Sequence, residues 1–548
     1  MAKSIRFTDT VISAFVQAGF WTPHLTVDFW DRNAALHPEK EALVDSGTRL
    51  TWVEAKTRID RLAIQLIQMG FQRDEIIMAQ LYNSVELVLL RLACEKAGLL
   101  LAIVPPAFRQ NELEAVLGKV RAKGACFPCD PGGFDYLGIY DHLRPRVSSL
   151  EYLFGVGQDV SPGIFSVREM ALRSVEKDFD VHDLDRFKFE PFGFEEIMTT
   201  SGTTGTPKCV EWADCVRLAH ARVAIERLRL SQEDVICAFS PSTGAATELL
   251  AYRCPAQVSA KTIMLEHFSP EAACAMIQKE RITAAGIVPA MIARLLRFPH
   301  IDQYDLTSLR LLLNTAALLP AQLAREAEER LGCAVLSGYG SMDSGGVCLG
   351  SLDDPPLARH STVGRPLTGS DVGLLDPEGK RVPHGQIGEV AVNGPYCVGG
   401  YYDDPEATRE AWHAGLFRMG DLGRLDEAGR LQLVGRKKDV IIRGGQNIYP
   451  KEIEDLLLQH PKVSEAAIVK MPDPEMGEKA CAFVVLRPGQ SFAFEEMVSF
   501  LLGRKIAKFK LPERLEQIET LPLVPGGNKI DKRKLEEEIA HRMGLHLP

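Results

Sequence analysis

The chain has no long apolar run. Its longest, "AGLLLAIV" at 97–104, stops at Pro105 and Pro106. That is far short of the ~18–20 residues a helix needs to cross a bilayer, so no membrane span is expected. A clean apolar centre is missing from the first 21 residues, "MAKSIRFTDTVISAFVQAGFW", where polar and charged residues interrupt the apolar ones. A signal peptide is therefore not expected. Basic excess is missing too: 63 Lys and Arg against 73 Asp and Glu give a formal charge of −10. This argues against an electrostatic nucleic-acid binder. Repeats and low-complexity tracts are absent. The twelve cysteines are scattered rather than framed, which suits a reducing cytosol and predicts a cytoplasmic location. Cys126 and Cys129 in "CFPC" have no second pair or nearby His to complete a four-ligand zinc site. They read as small, semi-buried side chains at a strand end.

What is present is length and alternation. A chain of 548 residues exceeds one core and implies several structural units. "EALVDSG" reads as strand and turn. "TWVEAKTRIDRLAIQLIQMG" reads as a helix, with Thr51 and Glu54 at capping-box spacing and Gly70 at its end. "EIIMAQL" is a second strand, "SVELVLLRLACEKAG" a helix closed by Gly98, and "LLLAIV" a third strand. Short apolar strands between amphipathic helices predict parallel α/β units, and the pattern recurs over about 210–350. The segments 371–394 and 417–436 instead place Gly turns between short alternating runs, as antiparallel β-structure does. From about 450, "KEIEDLLLQH", "SEAAIVKM" and "KACAFVVL" return to helix and strand.

One stretch stands apart. Thr199–Lys208, "TTSGTTGTPK", has almost nothing apolar to bury. Gly202 and Gly205 allow tight turns and close approach of main-chain N–H groups to an anion. The hydroxyls of Thr199, Thr200, Ser201, Thr203, Thr204 and Thr206 add donors, Lys208 adds a charge, and Pro207 stiffens the exit. It does not fit the Walker A pattern. A phosphate loop and an ordinary polar surface loop both remain open on physical grounds.

The stretch is similar to the signature of the adenylate-forming superfamily, which includes acyl-CoA ligases, peptide-synthetase adenylation domains and luciferases. Five further segments resemble that family's motifs in order: "GYGSMDSG" at 338–345, "GEVAVNGPYCVGGYY", "GLFRMGDLGRLDEAG", "GRKKDVIIRGGQNIYPKEIE" and "LPLVPGGNKIDK". Together they span about residues 20 to 536. The resemblance implies an α/β fold: a large N-terminal domain of α/β layers with a β-rich subdomain over 1–437, and a small mobile α+β domain over 438–548. It also implies ATP, Mg²⁺ and coenzyme A. In the family's reaction a carboxylate is joined to AMP with loss of pyrophosphate, and the acyl group then passes to a thiol. Neutralising the converging negative charges is the main demand on the protein.

By resemblance, the 200–208 loop wraps the β- and γ-phosphates and swings as they leave. Asp343 takes the place of a Mg²⁺-associated Glu; it is shorter by a methylene, which suits contact through water. Met342 replaces the usual Thr or Ala. Tyr339 would lie against adenine, with Ser337, Gly338 and Gly340 beside it where the backbone comes close. Asn314, Ala316 and Ala317 in "NTAAL" would pass next to adenine and the acyl group. Asp421 would accept the ribose hydroxyls, and Arg436 would add a positive contact. Lys529 is the implied catalytic lysine, bridging carboxylate and α-phosphate. It follows Asn528 where the family has Gly, so Lys532 competes for the role. Lys438 falls at the hinge. Arg443, Gly444 and Gly445 would line a thiol tunnel.

The acid pocket is implied around "FSPSTGAATELL" at 239–250, with Thr243, Gly244 and Ala245 facing the acyl group. Small residues there suggest room for a ring or branched chain. The expectation is a ligase for a cyclic, aromatic or medium-chain acid that uses coenzyme A. The alternatives are an aryl-acid AMP ligase loading a phosphopantetheine carrier protein, and a non-catalytic homologue. Homodimerisation is left open.

Overall fold

The computed structural model describes residues 3–129, 133–175, 177, 179–200, 207–524 and 530–543, apart from the side chains of Ala245 and Ala246.

Two large sheets form the body. In one, strands run in the order Gly400–Tyr401, Lys208–Ala213, Phe194–Thr200, Leu100–Ile103, Ile76–Ala79, Gly124–Pro128, Tyr152–Val156 and Phe165–Ser166. Only the first two pairings are antiparallel. The other sheet runs Arg365–Pro366, Gly345–Leu349, Ala334–Ser341, Leu311–Asn314, Ala284–Ile287, Val235–Ala238, Lys261–Met264, Glu41–Val44 and Arg49–Thr51. Its centre is parallel and its margins antiparallel. Each central strand is buried on both faces, which is why these segments read as short, unbroken apolar runs.

The expected helix signals hold. Thr51 accepts from Glu54 N while Glu54 reaches back to Thr51 N at 2.9 Å, opening the helix Trp52–Gln68. Gly98 closes the helix Val85–Ala97 at φ 70°. A Cβ there would lie 2.3 Å from Phe187 O, so both conformation and space demand glycine.

The predicted antiparallel region is a four-stranded sheet, Asp371–Leu375, Gly388–Asn393, Phe417–Leu425 and Leu431–Arg436. After it a 3₁₀ turn, Lys437–Asp439, leads into a further sheet of Gln446–Ile448, Ile441–Arg443, Gly477–Leu486 and Val463–Asp473, with Arg514–Gln517 beside Gly477–Leu486. The fold thus joins a large α/β body to a small C-terminal α+β unit, as expected. The apolar clusters of the body end at Leu433, and those of the C-terminal unit begin at Ile441.

Eleven of the twelve cysteines are buried and none is in a disulfide. Cys126 lies inside the strand Gly124–Pro128 and Cys129 just past its end. No described helix is long and apolar enough to span a membrane.

Candidate active site

The Thr/Ser/Gly loop hangs from two antiparallel strands, and its ends are paired, Thr200 opposite Lys208. Ser201, Gly202, Thr203, Thr204, Gly205 and Thr206 lie outside the described residues. The loop's two ends close on Asp343, which sits in the hairpin turn between Ala334–Ser341 and Gly345–Leu349. The Thr200 side chain lies close enough to the Asp343 carboxylate to lower its pKa, and Asp343 Oδ2 accepts from the Tyr401 hydroxyl at 3.1 Å. Lys208 Nζ donates to the same hydroxyl at 3.2 Å and lies 4.6 Å from the Tyr401 ring centre. Burial raises the Asp343 pKa, and Lys208, Tyr401 and Thr200 only partly offset it.

Asp343 Oδ1 is buried and has no hydrogen-bond partner among the described residues. A buried carboxylate oxygen without a donor is costly and asks for an explanation. A hard divalent cation or its water shell supplies one. Mg²⁺ needs one or two carboxylates besides phosphate and water oxygens. Among the described residues no group of three or more His, Cys, Asp and Glu forms a closed metal cage. A single carboxylate beside a phosphate loop fits Mg²⁺ carried in with a nucleotide.

A second constellation joins the strand Ala334–Ser341 to the four-stranded antiparallel sheet. Asp421 and Arg436 face each other across two antiparallel strands, so the register itself makes their pair, Arg436 Nε to Asp421 Oδ1 at 2.8 Å. Tyr339, from the strand Ala334–Ser341, donates its hydroxyl to Asp421 Oδ2 at 2.7 Å. Burial first, and then the Asp421 charge, push the Tyr339 hydroxyl well above its ordinary pKa. Three residues from three motifs therefore meet around one carboxylate.

Asn314 ends a buried strand beside Ser337. Its Nδ2 donates to Ala317 O at 3.1 Å and to Ser337 Oγ at 3.3 Å, while Oδ1 has no partner among the described residues. Ala316 has φ 69°, and Ala317 N bonds to Thr315 O at 2.9 Å. This is a γ-turn of the strained hand, a conformation that clusters at ligand clamps. The unsatisfied amide oxygen suits an N–H donor of a heterocyclic ligand.

Some residues stand where expected but for other reasons. Gly340 is required by the hairpin: a Cβ would lie 2.3 Å from Gly345 O, whereas Gly338 would make only ordinary contacts. Gly444 and Gly445, at φ 54° and 84°, form the two-residue turn joining Ile441–Arg443 to Gln446–Ile448. Their glycine identity follows from that turn, without a ligand. Arg443 pairs with Glu513 at 2.7 Å. Lys438 is exposed in the 3₁₀ turn.

Lys529 lies outside the described residues. The chain on either side is clasped by a bridge between Leu523 and Ile530 and by Asp531 N to Pro522 O at 2.8 Å. Lys532, its competitor, is held inside the C-terminal unit by Glu454 at 2.6 Å and Ile468 O at 3.1 Å. Thr243 and Gly244 precede the helix Ala245–Glu248. A Cβ on Gly244 would meet Pro241 O at 3.6 Å, an ordinary contact, so packing does not demand glycine there.

Tyr401 was missed by sequence reasoning. It lies within the quoted segment "GEVAVNGPYCVGGYY", yet only the strand pairing Gly400–Tyr401 with Lys208–Ala213 shows that its hydroxyl reaches Asp343.

Comparison with known proteins matches residues 30–402 to the AMP-binding enzyme family and 452–528 to the AMP-binding enzyme C-terminal domain. The chain is 33% identical over 546 residues to a medium-chain fatty-acid–CoA ligase of Escherichia coli (strain K12), covering 99% of this chain and 95% of that one. It is 32% identical to a 2-hydroxy-7-methoxy-5-methyl-1-naphthoate–CoA ligase of Streptomyces carzinostaticus, covering 97% and 96%. Among solved structures, the anthranilate CoA ligase AuaEII in complex with anthranoyl-AMP superposes with a TM-score of 0.86 at 23% identity, covering 95% and 98%.

Proposed function

The chain belongs to the AMP-binding enzyme family and is an AMP-forming acid–thiol ligase, and from that premise we propose that it activates a medium-chain, cyclic or aromatic carboxylic acid and transfers it to coenzyme A. The convergence of Thr200, Lys208, Asp343 and Tyr401 at the mouth of the loop carries the reading. These groups place hydroxyl donors, one ammonium and one under-satisfied carboxylate where a triphosphate and its cation would sit.

In the first half-reaction the acid's carboxylate oxygen forms a bond to the α-phosphorus. The bond from that phosphorus to the bridging oxygen breaks, and pyrophosphate leaves with the electron pair. Lys208 and the Thr hydroxyls offset the charge on the departing phosphates. Mg²⁺, held through Asp343, would add charge neutralisation when bound. Asp421, with Arg436 and Tyr339, anchors the ribose and base so that the α-phosphorus faces the acid. Lys529 is assigned the bridge between carboxylate and α-phosphate. In the second half-reaction a thiol sulfur bonds to the acyl carbon, the mixed-anhydride C–O bond breaks, and AMP leaves. The division at 437/438 is read as two domains, with Lys438 as hinge; the separation of apolar clusters on either side supports it. Twelve cysteines without a disulfide support a cytoplasmic setting.

Similarity to ligases named for medium-chain and naphthoate acids supports the acid class, and the small residues at 243–245 are consistent with it. ATP–pyrophosphate exchange across straight-chain, alicyclic and aromatic acids tests the reading. Absence of any acid-dependent exchange would overturn it. Adding coenzyme A or a phosphopantetheinylated carrier to the same reactions distinguishes the two acceptors.

A further inference from the structure

Behind the acid pocket lies a fully buried ionic network that the reaction does not use. Arg91, Arg217 and Arg253 meet the carboxyls of Asp214, Glu195, Glu196 and Glu248, and no side chain of the set is more than 5% exposed. Arg217 Nη1 lies 2.7 Å from Glu196 and 3.0 Å from Glu248. Arg253 Nε donates to Glu248 at 3.0 Å. Arg91 pairs with Glu248 and donates to the Tyr252 hydroxyl at 3.0 Å and to Ser242 O at 2.7 Å. Tyr252 in turn donates to Glu196 at 3.3 Å.

Pro255 has no N–H to give to the preceding turn, and just before it the helix widens into a π turn, Leu249–Arg253, with Cys254 N bonded to Leu249 O. The loop ahead of the helix is tied by Gly244 N to Pro241 O at 3.2 Å and by Ser240 Oγ to Thr247 Oγ1 at 2.8 Å, and the rest of its polar backbone leans on neighbours. Its carbonyls at Ala238 and Ser240 accept from Asn83 Nδ2 at 3.1 and 3.0 Å, and Ser242 N donates to Asn83 Oδ1 at 2.7 Å. Asn83 and Arg91 therefore grip the same loop and converge on Ser242.

We infer that Arg91, with Asn83, Glu248 and Tyr252, positions the acid pocket against the strand Phe194–Thr200, which holds Glu195 and Glu196 at one end and opens into the phosphate loop at the other. Glu196 to Thr200 spans roughly 13 Å of extended strand, so the pocket and the loop end share one rigid member. None of these groups touches reacting atoms; they are positioning residues.

Stability does not explain the network. Buried ion networks gain little over well-packed apolar residues, because desolvation consumes the Coulomb energy. Four carboxyls face three arginines, and burial, only partly offset by the arginines, raises Glu195 and Glu248. A single fixed arrangement of loop and helix is what it provides.

This inference rests on the proposed activity, and the test separates the two. Arg91→Lys keeps the charge but loses the planar fork that reaches Glu248, Tyr252 and Ser242 O together. Acid-dependent exchange should then show the KM for the best acid raised roughly tenfold, a loss of ~1.4 kcal/mol. Discrimination against an acid two carbons shorter should fall similarly, and the KM for ATP should stay within about twofold. Tyr252→Phe preserves volume and folding and should give the same pattern, about threefold. Unchanged acid KM and discrimination in both variants, with an active wild type, would overturn the positioning role. If the wild type shows no exchange, the proposed activity is what fails. The positioning role then stands or falls on amide hydrogen exchange over 239–248, which both variants should accelerate selectively.

Discussion

Replacing Asp421 by Asn separates nucleotide binding from folding, because its partners respond differently. Arg436 is 47% exposed, so on losing its anion it turns to water, and stability changes by about 1 kcal/mol or less. The Tyr339 hydroxyl can still donate to the amide oxygen. A ribose hydroxyl cannot substitute so easily: it meets an NH₂ where it needs a charged acceptor. Hydrogen bonds to charged groups contribute ~1.5–3 kcal/mol, so one lost bond should raise the KM for ATP by about 10- to 150-fold. ATP–pyrophosphate exchange at saturating acid and varied ATP measures the effect, and thermal denaturation confirms the fold. A KM for ATP within about twofold of wild type, with exchange intact, would refute the assignment of Asp421 to the ribose.

Asp343→Asn should raise the half-saturating Mg²⁺ concentration in exchange at least ~tenfold. The variant should be no less heat-stable without metal, since the buried, under-satisfied carboxylate is gone. Lys438→Pro should spare acid-dependent exchange and slow thioester formation by about tenfold or more; equal loss of both would count against the hinge. Glu211→Gln tests a buried carboxyl on the strand Lys208–Ala213, opposite Gly400. Burial, partly offset by the Ser4 hydroxyl, raises Glu211 from 4.5 to about 7. The native state thus holds a proton that the unfolded chain releases above pH ~4.5, and the stability this contributes is lost as pH rises through about 7. Above that pH the variant should be more stable than wild type by up to about 3 kcal/mol, with the difference shrinking towards pH ~4.5 in denaturant titrations.

Local signals were the most legible. Thr51 with Glu54, and Gly98, mark helix ends through bonds between residues close in sequence. The ordered motifs pointed to Asp343, Tyr339, Asp421 and Arg436 because the sequence around each is distinctive, and the last three meet in the structure. Contacts between distant strands were not legible. Tyr401 reaches Asp343 across 58 positions of chain. Glu195 and Glu196 look like solvent-facing charges in "FEEIMTT", yet both are buried because the arginines that neutralise them come from helices elsewhere. At Gly340 and Gly444 the hairpin each belongs to already calls for glycine, a reason local sequence does not display.

The burial of the cysteines has a chemical consequence. An enzyme that makes a mixed anhydride builds an electrophile able to acylate any nearby thiolate, its own included. Burial pushes Cys209 and Cys274 up to about 11 and Cys333, Cys397 and Cys481 up to about 12, and Cys94, Cys126, Cys215, Cys237, Cys254 and Cys348 higher still. These eleven thiols are protonated at neutral pH and shut away from solvent, so they are poor nucleophiles. The fold thereby guards itself against self-acylation and leaves the incoming thiol with little internal competition for the activated acid.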